Sequence, residues 1–210
     1  MIGQPMASDF DAFGLKVEYT LPHVSLSSNT SYLTYENDST LDISELIGVP
    51  FTIVSDLESR VISQELYLRS TDTNPWRWTV GGMYRKATEL DDQTNVFEGT
   101  GALAVYSTFR SESYALFGEL TRLFMDDKLE LTVGLRHFHD NESEWGLAEL
   151  AGSGGGTATS IPAQKNTPRV LLAWHVTPDI MTYASYSQGF RSGIPQPNGL
   201  SATSARWAAV

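Results

Sequence analysis

No cysteine occurs among the 210 residues, which excludes a disulfide framework and any thiolate metal site. No apolar run approaches the roughly 20 residues that a membrane helix needs, so a helical span is excluded. Basic residues are scarce, 14 against 25 acidic ones for a net charge of −11, and they form no cluster that would meet phosphate. A nucleic-acid partner is therefore not expected. Enzyme signatures are missing as well: there is no GxSxG and no HExxH. The glycine run Gly152 to Gly156 lacks the lysine and the following helix of a phosphate loop, and reads as flexible loop material. The first residues, MIGQPMASDFDAF, have neither a basic nor an apolar leader region, so no secretory signal is read there. Neither an enzyme nor a cofactor is expected.

What the chain does have is alternation with period two, the signature of strands with one apolar face. Phe13, Leu15, Val17 and Tyr19 alternate with Gly14, Lys16, Glu18 and Thr20. Trp76, Trp78, Val80, Gly82 and Tyr84 alternate with Arg77, Thr79, Gly81, Met83 and Arg85, and Leu129 to Arg136 repeats the pattern. Strands are predicted at 13–20, 24–36, 60–70, 76–86, 113–124, 128–139, 169–176 and 180–191. Short turns at Leu21 to His23, Thr71 to Pro75, Met125 to Asp127 and Thr177 to Asp179 join them into hairpins. Between the hairpins the polar segments 37–59, 87–112 and 140–166 read as long connections, and Ser192 to Val210 as a trailing tail. Strict alternation of short and long connections, with no helical period between strands, predicts an up-and-down meander of the kind found in outer-membrane barrels.

Aromatic placement agrees. Tyr19, Trp76, Phe124 and Trp174 each fall within a few residues of a short turn, where a girdle at one membrane interface would sit. A soluble β-sandwich would use the same aromatics as core. Against that, the opposite faces carry Lys16, Glu18, Arg77, Arg85, Glu130 and Arg136, which suit a wet lumen.

Several residues could carry chemistry. His137 and His139 share one strand face, with Asp140 and Glu142 just beyond, the only grouping that suggests a metal. The alternative is a solvated strand end. His23 and His175 fall at turns, with no partner readable from sequence. Arg85, Arg136 and Arg191 are the candidate ligand contacts: lining the upper lumen, they would meet carboxylate or phosphate groups, or else pair with wall carboxylates such as Glu130. The acidic stretches 36–58 and 89–98 lack the spacing of a calcium loop and read as solvated surface.

The hairpin TPRVLLAWHVTPDIMTYASYSQGFRSG, Thr167 to Gly193, resembles the barrel of TonB-dependent outer-membrane receptors. The resemblance extends to Tyr114–Arg136 (YALFGELTRLFMDDKLELTVGLR) and Ser63–Lys86 (SQELYLRSTDTNPWRWTVGGMYRK), in the family's order. It implies an all-β fold, a transmembrane antiparallel up-and-down β-barrel in the outer membrane of a Gram-negative bacterium. It also implies uptake of scarce ligands, ferric siderophores foremost, powered by the TonB complex acting on a plug inside the barrel. Haem is not favoured, because the chain reads Phe190-Arg191-Ser192-Gly193 where haem receptors have a FRAP-type motif.

Three departures from the family stand out: no plug or TonB box, about eight strands where such transporters have roughly 22, and no closing amphipathic strand at the end. Residues 1–210 are therefore expected to be one partial barrel domain, an internal slice of a receptor with its plug absent. The competing expectations are a complete eight-stranded outer-membrane barrel with a structural or adhesion role, and a soluble ligand-binding barrel. A slice has two open edges whose N–H and C=O groups lipid cannot satisfy, each costing several kcal/mol. Expressed by itself, the 210-residue chain should give no heat-modifiable band in detergent or lipid. A compact species that shifts on boiling would overturn this expectation.

Overall fold

The computed structural model describes residues 5–71, 75–97, 99, 101–150 and 153–193, without the side chains of 148–150 and 153–155. The described residues form eight strands: β1 (Met6–Thr20), β2 (Val24–Asp42), β3 (Phe51–Ser70), β4 (Trp76–Phe97), β5 (Gly101–Phe124), β6 (Leu129–Leu150), β7 (Ser153–Thr177) and β8 (Ile180–Ser187). One helical turn, α1 (Ser44–Ile47), lies between β2 and β3 and ends on Gly48 in the left-handed conformation. The strands form a single sheet in sequence order with every neighbouring pair antiparallel. Among the described residues β1 and β8 each have one neighbour, so the eight strands do not close on one another.

The four short turns lie where expected, although Asp72 to Asn74 of the second fall outside the described residues. The β5–β6 turn places Met125, Asp126 and Asp127 all at positive φ, 55°, 54° and 66°. Aspartate tolerates that region better than most residues and methionine does not, which makes Met125 the strained member.

The expected long connections are corrected. Residues 37–59, 87–112 and 140–166 are mostly strand, paired residue by residue along β2–β3, β4–β5 and β6–β7. Ser153 to Gly156 belongs to β7 rather than to a flexible loop, while Gly152 lies outside the described residues. The physical reason is that alternation marks a strand only where one face meets an apolar medium. Where both faces meet water, polar residues fill both, and main-chain pairing continues without the signature. The last strand is corrected in the other direction: it stops at Ser187, not Arg191, and the tail beyond Gly193 lies outside the described residues.

Register brings the main apolar positions of β1 to β7 onto one face. Tyr19 pairs with Leu26, and the same row runs through Leu68, Val80, Gly118 and Leu135 to Pro168. That face is exposed: Phe13 retains 66% of its accessible surface, Leu116 66% and Leu135 57%. Among the described residues the buried apolar ones are small or few, Ala115, Leu123 and Ala173, while buried polar ones include Ser25, Ser27, Ser113 and Asp140. A soluble sandwich or ligand-binding barrel would bury the large apolar side chains; this sheet turns them outward, as a membrane barrel does.

The apolar band is also slanted across the strands. Along the row from Tyr19 the β7 position is Pro168, yet the aromatic that ends the band on β7 is Trp174, six residues further towards the turn. At the other edge, the row of Asp11 passes through Thr34, Arg60, Thr88, Arg110 and Ser143 to Ser160, whereas polar residues on this face of β7 begin at Asn166, again six residues away. Over the six steps from β1 to β7 both edges therefore descend about one residue per strand. With about 3.3 Å per residue and about 4.8 Å between strands, that stagger is a tilt of about 35°, within the range of barrels. On β5 the band runs from Tyr114 to Phe124, about 33 Å of strand or about 27 Å along the normal, close to the roughly 25 Å of an outer-membrane apolar band.

Close packing on the polar face centres on Gly81. A Cβ there would stand 2.6 Å from Phe117 Cζ, 2.7 Å from Tyr67 Cβ and 2.8 Å from the Leu66 carbonyl oxygen, so glycine lets two aromatic neighbours lean across β4. Gly118, by contrast, would bring a Cβ no closer than 3.6 Å to Val80. In the protein as its gene encodes it, Gly81→Val should lower stability by about 1–3 kcal/mol, read as the urea midpoint in detergent, with Gly118→Ala close to neutral. Equal midpoints for the two variants would refute this packing.

Candidate functional site

The polar face divides into two zones. Towards the short turns it carries ion pairs between strands, with Arg69 Nη2 2.6 Å from Glu18 and Arg169 Nη1 2.9 Å from Glu119, and there His175 Nε2 lies 3.6 Å from Glu130, an ion pair only when the imidazole is protonated. His175 thus has a partner that the sequence did not reveal, and Glu130 pairs with it rather than with an arginine. All three pairs are partly exposed, so each adds little stability. What they provide is a charged, hydrated surface.

Beyond the tyrosine level the polar face forms a hollow of about 410 Å³ over β3 to β6, whose lining includes Ser59, Arg85, Glu89, Phe109, Ser111 and Glu142. Arg85 is carried here because β4 continues well past Tyr84, and register sets it beside Ser113, which in turn faces Asp140. Asp140 is buried and accepts hydrogen bonds from Ser111 Oγ at 3.1 Å and from Ser192 Oγ at 2.6 Å. The latter contact, with Phe190 ring-to-ring at 5.9 Å from Phe138, lays the segment after β8 across β7 and onto β6.

The three candidate arginines do not form one cluster. Arg85 and Arg191 both act on Glu142. Arg136 lines a separate hollow of about 340 Å³ nearer the short turns, with Glu65, Glu119 and Arg169. Its guanidinium lies 5.5 Å from the Phe138 ring and 3.6 Å from Met83 Sδ. His137 and His139 lie on the apolar face, whereas Asp140 and Glu142 lie on the polar one. His137 Nδ1 is 2.8 Å from Asn166 Oδ1, and the His139 ring stacks on Tyr114 at 4.8 Å. The sheet therefore parts the imidazoles from the carboxylates. Among the described residues no group of three or more His, Asp or Glu could hold a metal.

Sequence reading missed the Glu18–Arg69 and Glu119–Arg169 pairs and the Glu89–Phe109 wall. Period two assigns each residue to a face, but which residues meet depends on partners far away in sequence, 51 positions for Glu18 and Arg69.

Burial pushes the Glu142 carboxyl above the ordinary glutamate range, helped by the charge of Asp140 and a hydrogen bond to it; Arg85 and Arg191 oppose this without cancelling it. The folded value exceeds the unfolded one, so the contribution to stability is complete below the ordinary glutamate pKa and is lost as pH rises through the raised value. Glu142→Gln keeps a donor towards Asp140 at every pH. Protection of the amides around Ser111 and Glu142, corrected for intrinsic exchange, should fall in the wild type as pH rises above the ordinary glutamate range and stay level in the variant. Parallel profiles would rule out a proton held between Glu142 and Asp140.

Among curated proteins no sequence matches the chain. Solved structures share its fold at low identity. The ferric yersiniabactin uptake receptor FyuA from Yersinia pestis superposes with a TM-score of 0.75 at 16% identity, over 86% of this chain and 28% of its own. The closed form of the ferric-catecholate import receptor Fiu from E. coli K12 gives 0.70 at 12%, over 87% and 33%. The siderophore receptor PiuA from Acinetobacter baumannii gives 0.61 at 14%, over 88% and 32%. The chain thus spans about a third or less of the length of these receptors. The family model described as TonB dependent receptor-like, beta-barrel, matches residues 4–208, and on that match the chain belongs to the TonB-dependent receptor family, as eight strands of its barrel.

Proposed function

We propose that these eight strands form part of the wall of an outer-membrane importer for ferric siderophores, energised through the TonB complex acting on a plug within the barrel. Members of the family are transporters rather than enzymes, and their barrels stand in the Gram-negative outer membrane. The family match over 4–208 carries the reading. Likeness in fold to receptors named for ferric yersiniabactin and ferric-catecholate import supports the ligand class. In this reading the slanted apolar face meets lipid, the ion-paired lower zone of the polar face meets the plug, and the hollows around Arg85 and Arg136 face the ligand path. Guanidinium groups there suit the carboxylate or catecholate oxygens of a ferric complex. A complete eight-stranded barrel gains no support, since β1 and β8 do not pair among the described residues.

Under iron limitation, deleting the gene should abolish uptake of at least one radiolabelled ferric complex from a set comprising a triscatecholate, a citrate and a trihydroxamate. Removing TonB should have the same effect. Unchanged uptake of all three would refute the reading. Arg85→Ala and Arg136→Ala should each reduce uptake of the responsive complex about tenfold at unchanged receptor level, the scale of one lost charge-assisted contact.

A further inference from the structure

We propose that residues 188–193, the segment that follows β8, form a gate between the two hollows of the polar face, locked by Asp140 and Glu142 while the pair shares one proton. The inference rests on the importer reading above and concerns how a ligand passes from the upper hollow to the lower one.

The position of the segment makes it a barrier. On β6 the upper hollow reaches down to Glu142 and the lower one up to Arg136, so the polar-face residues that part them on this strand are Phe138 and Asp140. Residues 188–193 lie on these two. Gln188 lines the lower hollow and donates its N–H to the Pro168 carbonyl oxygen at 3.1 Å. Phe190 packs on Phe138 with ring centroids 5.9 Å apart, and Ser192 Oγ donates to Asp140 Oδ2 at 2.6 Å. Arg191, between them, acts on Glu142. A second layer of chain thus covers the strip of wall that a ligand moving between the hollows must pass.

The anchor of that layer depends on a proton. Asp140 is buried, with Ser111 Oγ on Oδ1 and Ser192 Oγ on Oδ2, and the Glu142 carboxyl gives it a further hydrogen bond only when protonated. β5 sets Ser111 opposite Glu142, flanked by Phe109 and Ser113, and β7 sets Ile161, flanked by Thr159 and Ala163, so neither neighbouring strand places a cation there. Lys165 of β7 lies level with Phe138 instead. Arg85 and Arg191 favour the ionised Glu142 and Asp140 opposes it, while Glu89 and Arg110 line the same hollow and Glu144 follows on the same face of β6. Burial is the largest influence and, with Asp140, outweighs the arginines. Ionising Glu142 therefore sets two charges side by side where little water reaches, and lifting the segment relieves this by hydrating both. The segment stays down while the proton is held and lifts as pH rises through the raised value.

The test uses the protein as its gene encodes it, in lipid, with nitroxide labels on Gly189→Cys and Leu90→Cys as its only cysteines. A Cβ at position 189 meets nothing within 4 Å, and Leu90 is exposed. Label-to-label distances, measured by pulsed electron paramagnetic resonance, should show the docked segment at low pH. Above the ordinary glutamate range the ratio of lifted to docked segment should rise by up to about tenfold per pH unit, the limit for one proton. Glu142→Gln should hold the docked distance at every pH, Ser192→Ala should shift the ratio towards lifted at every pH, and Glu144→Gln should follow the wild type. In cells, uptake by Glu142→Gln relative to wild type at the same pH and receptor level should start near unity and decline as pH rises. The probe is whichever of the triscatecholate, citrate and trihydroxamate iron complexes the gene supports. A single distance at all pH values in the wild type overturns the proposal, as does a Glu142→Gln profile that tracks the wild type or an uptake ratio that stays level. Failure to take up any of the three complexes would instead overturn the importer reading, and the distances decide the lock independently of that result.

Discussion

Hydrocarbon offers no hydrogen bonds, so each backbone N–H and C=O within it must find a partner in the protein. The rest of this sheet follows from that constraint. The order β1 to β8 without interruption, with every interior strand paired on both sides, is the arrangement that satisfies the main chain with the shortest connections. Once the main chain is satisfied laterally, side chains are left to answer two solvents. The apolar set turns to one side and the charged set to the other, with little between them that resembles a globular core. The descent of both band edges by about one residue per strand ties this to geometry, because tilted strands must stagger if a planar membrane is to meet apolar surface on each of them.

Beyond the membrane the constraint relaxes, and the sheet continues regardless. β4 and β5 stay paired to Phe97 and Gly101, well past the tyrosines. Water surrounds both faces there, so Ser, Thr, Asn, Asp and Glu occupy both. The result is a paired wall instead of long connections, and Arg85, Glu89 and Phe109 line one hollow on it. Asp140 fastens the segment after β8 onto that wall through Ser192, a contact that spans 52 positions of sequence.

The two faces of one strand can also undo a grouping that looks compact in sequence. His137, His139, Asp140 and Glu142 fall within six consecutive positions, yet the pleat sends the imidazoles to the apolar side and the carboxylates to the polar side. Conversely, Arg191 is far from Glu142 in sequence and acts on it in the fold.

By itself the sequence determined the fold class, all eight strands, the four short turns and the apolar face of each hairpin, because period two and turn chemistry are properties of a few adjacent residues. It also placed Arg85 and Arg136 on the polar face. Only the tertiary structure decided how far the strands run, the tilt, and which residues meet across strands. Strand length outside the membrane leaves no hydrophobic signature. Register is fixed by main-chain bonds between segments distant in sequence, and a slip of one residue would move every side chain to the other face. Pairs such as Glu18 with Arg69 and Glu119 with Arg169 exist only once that register is set.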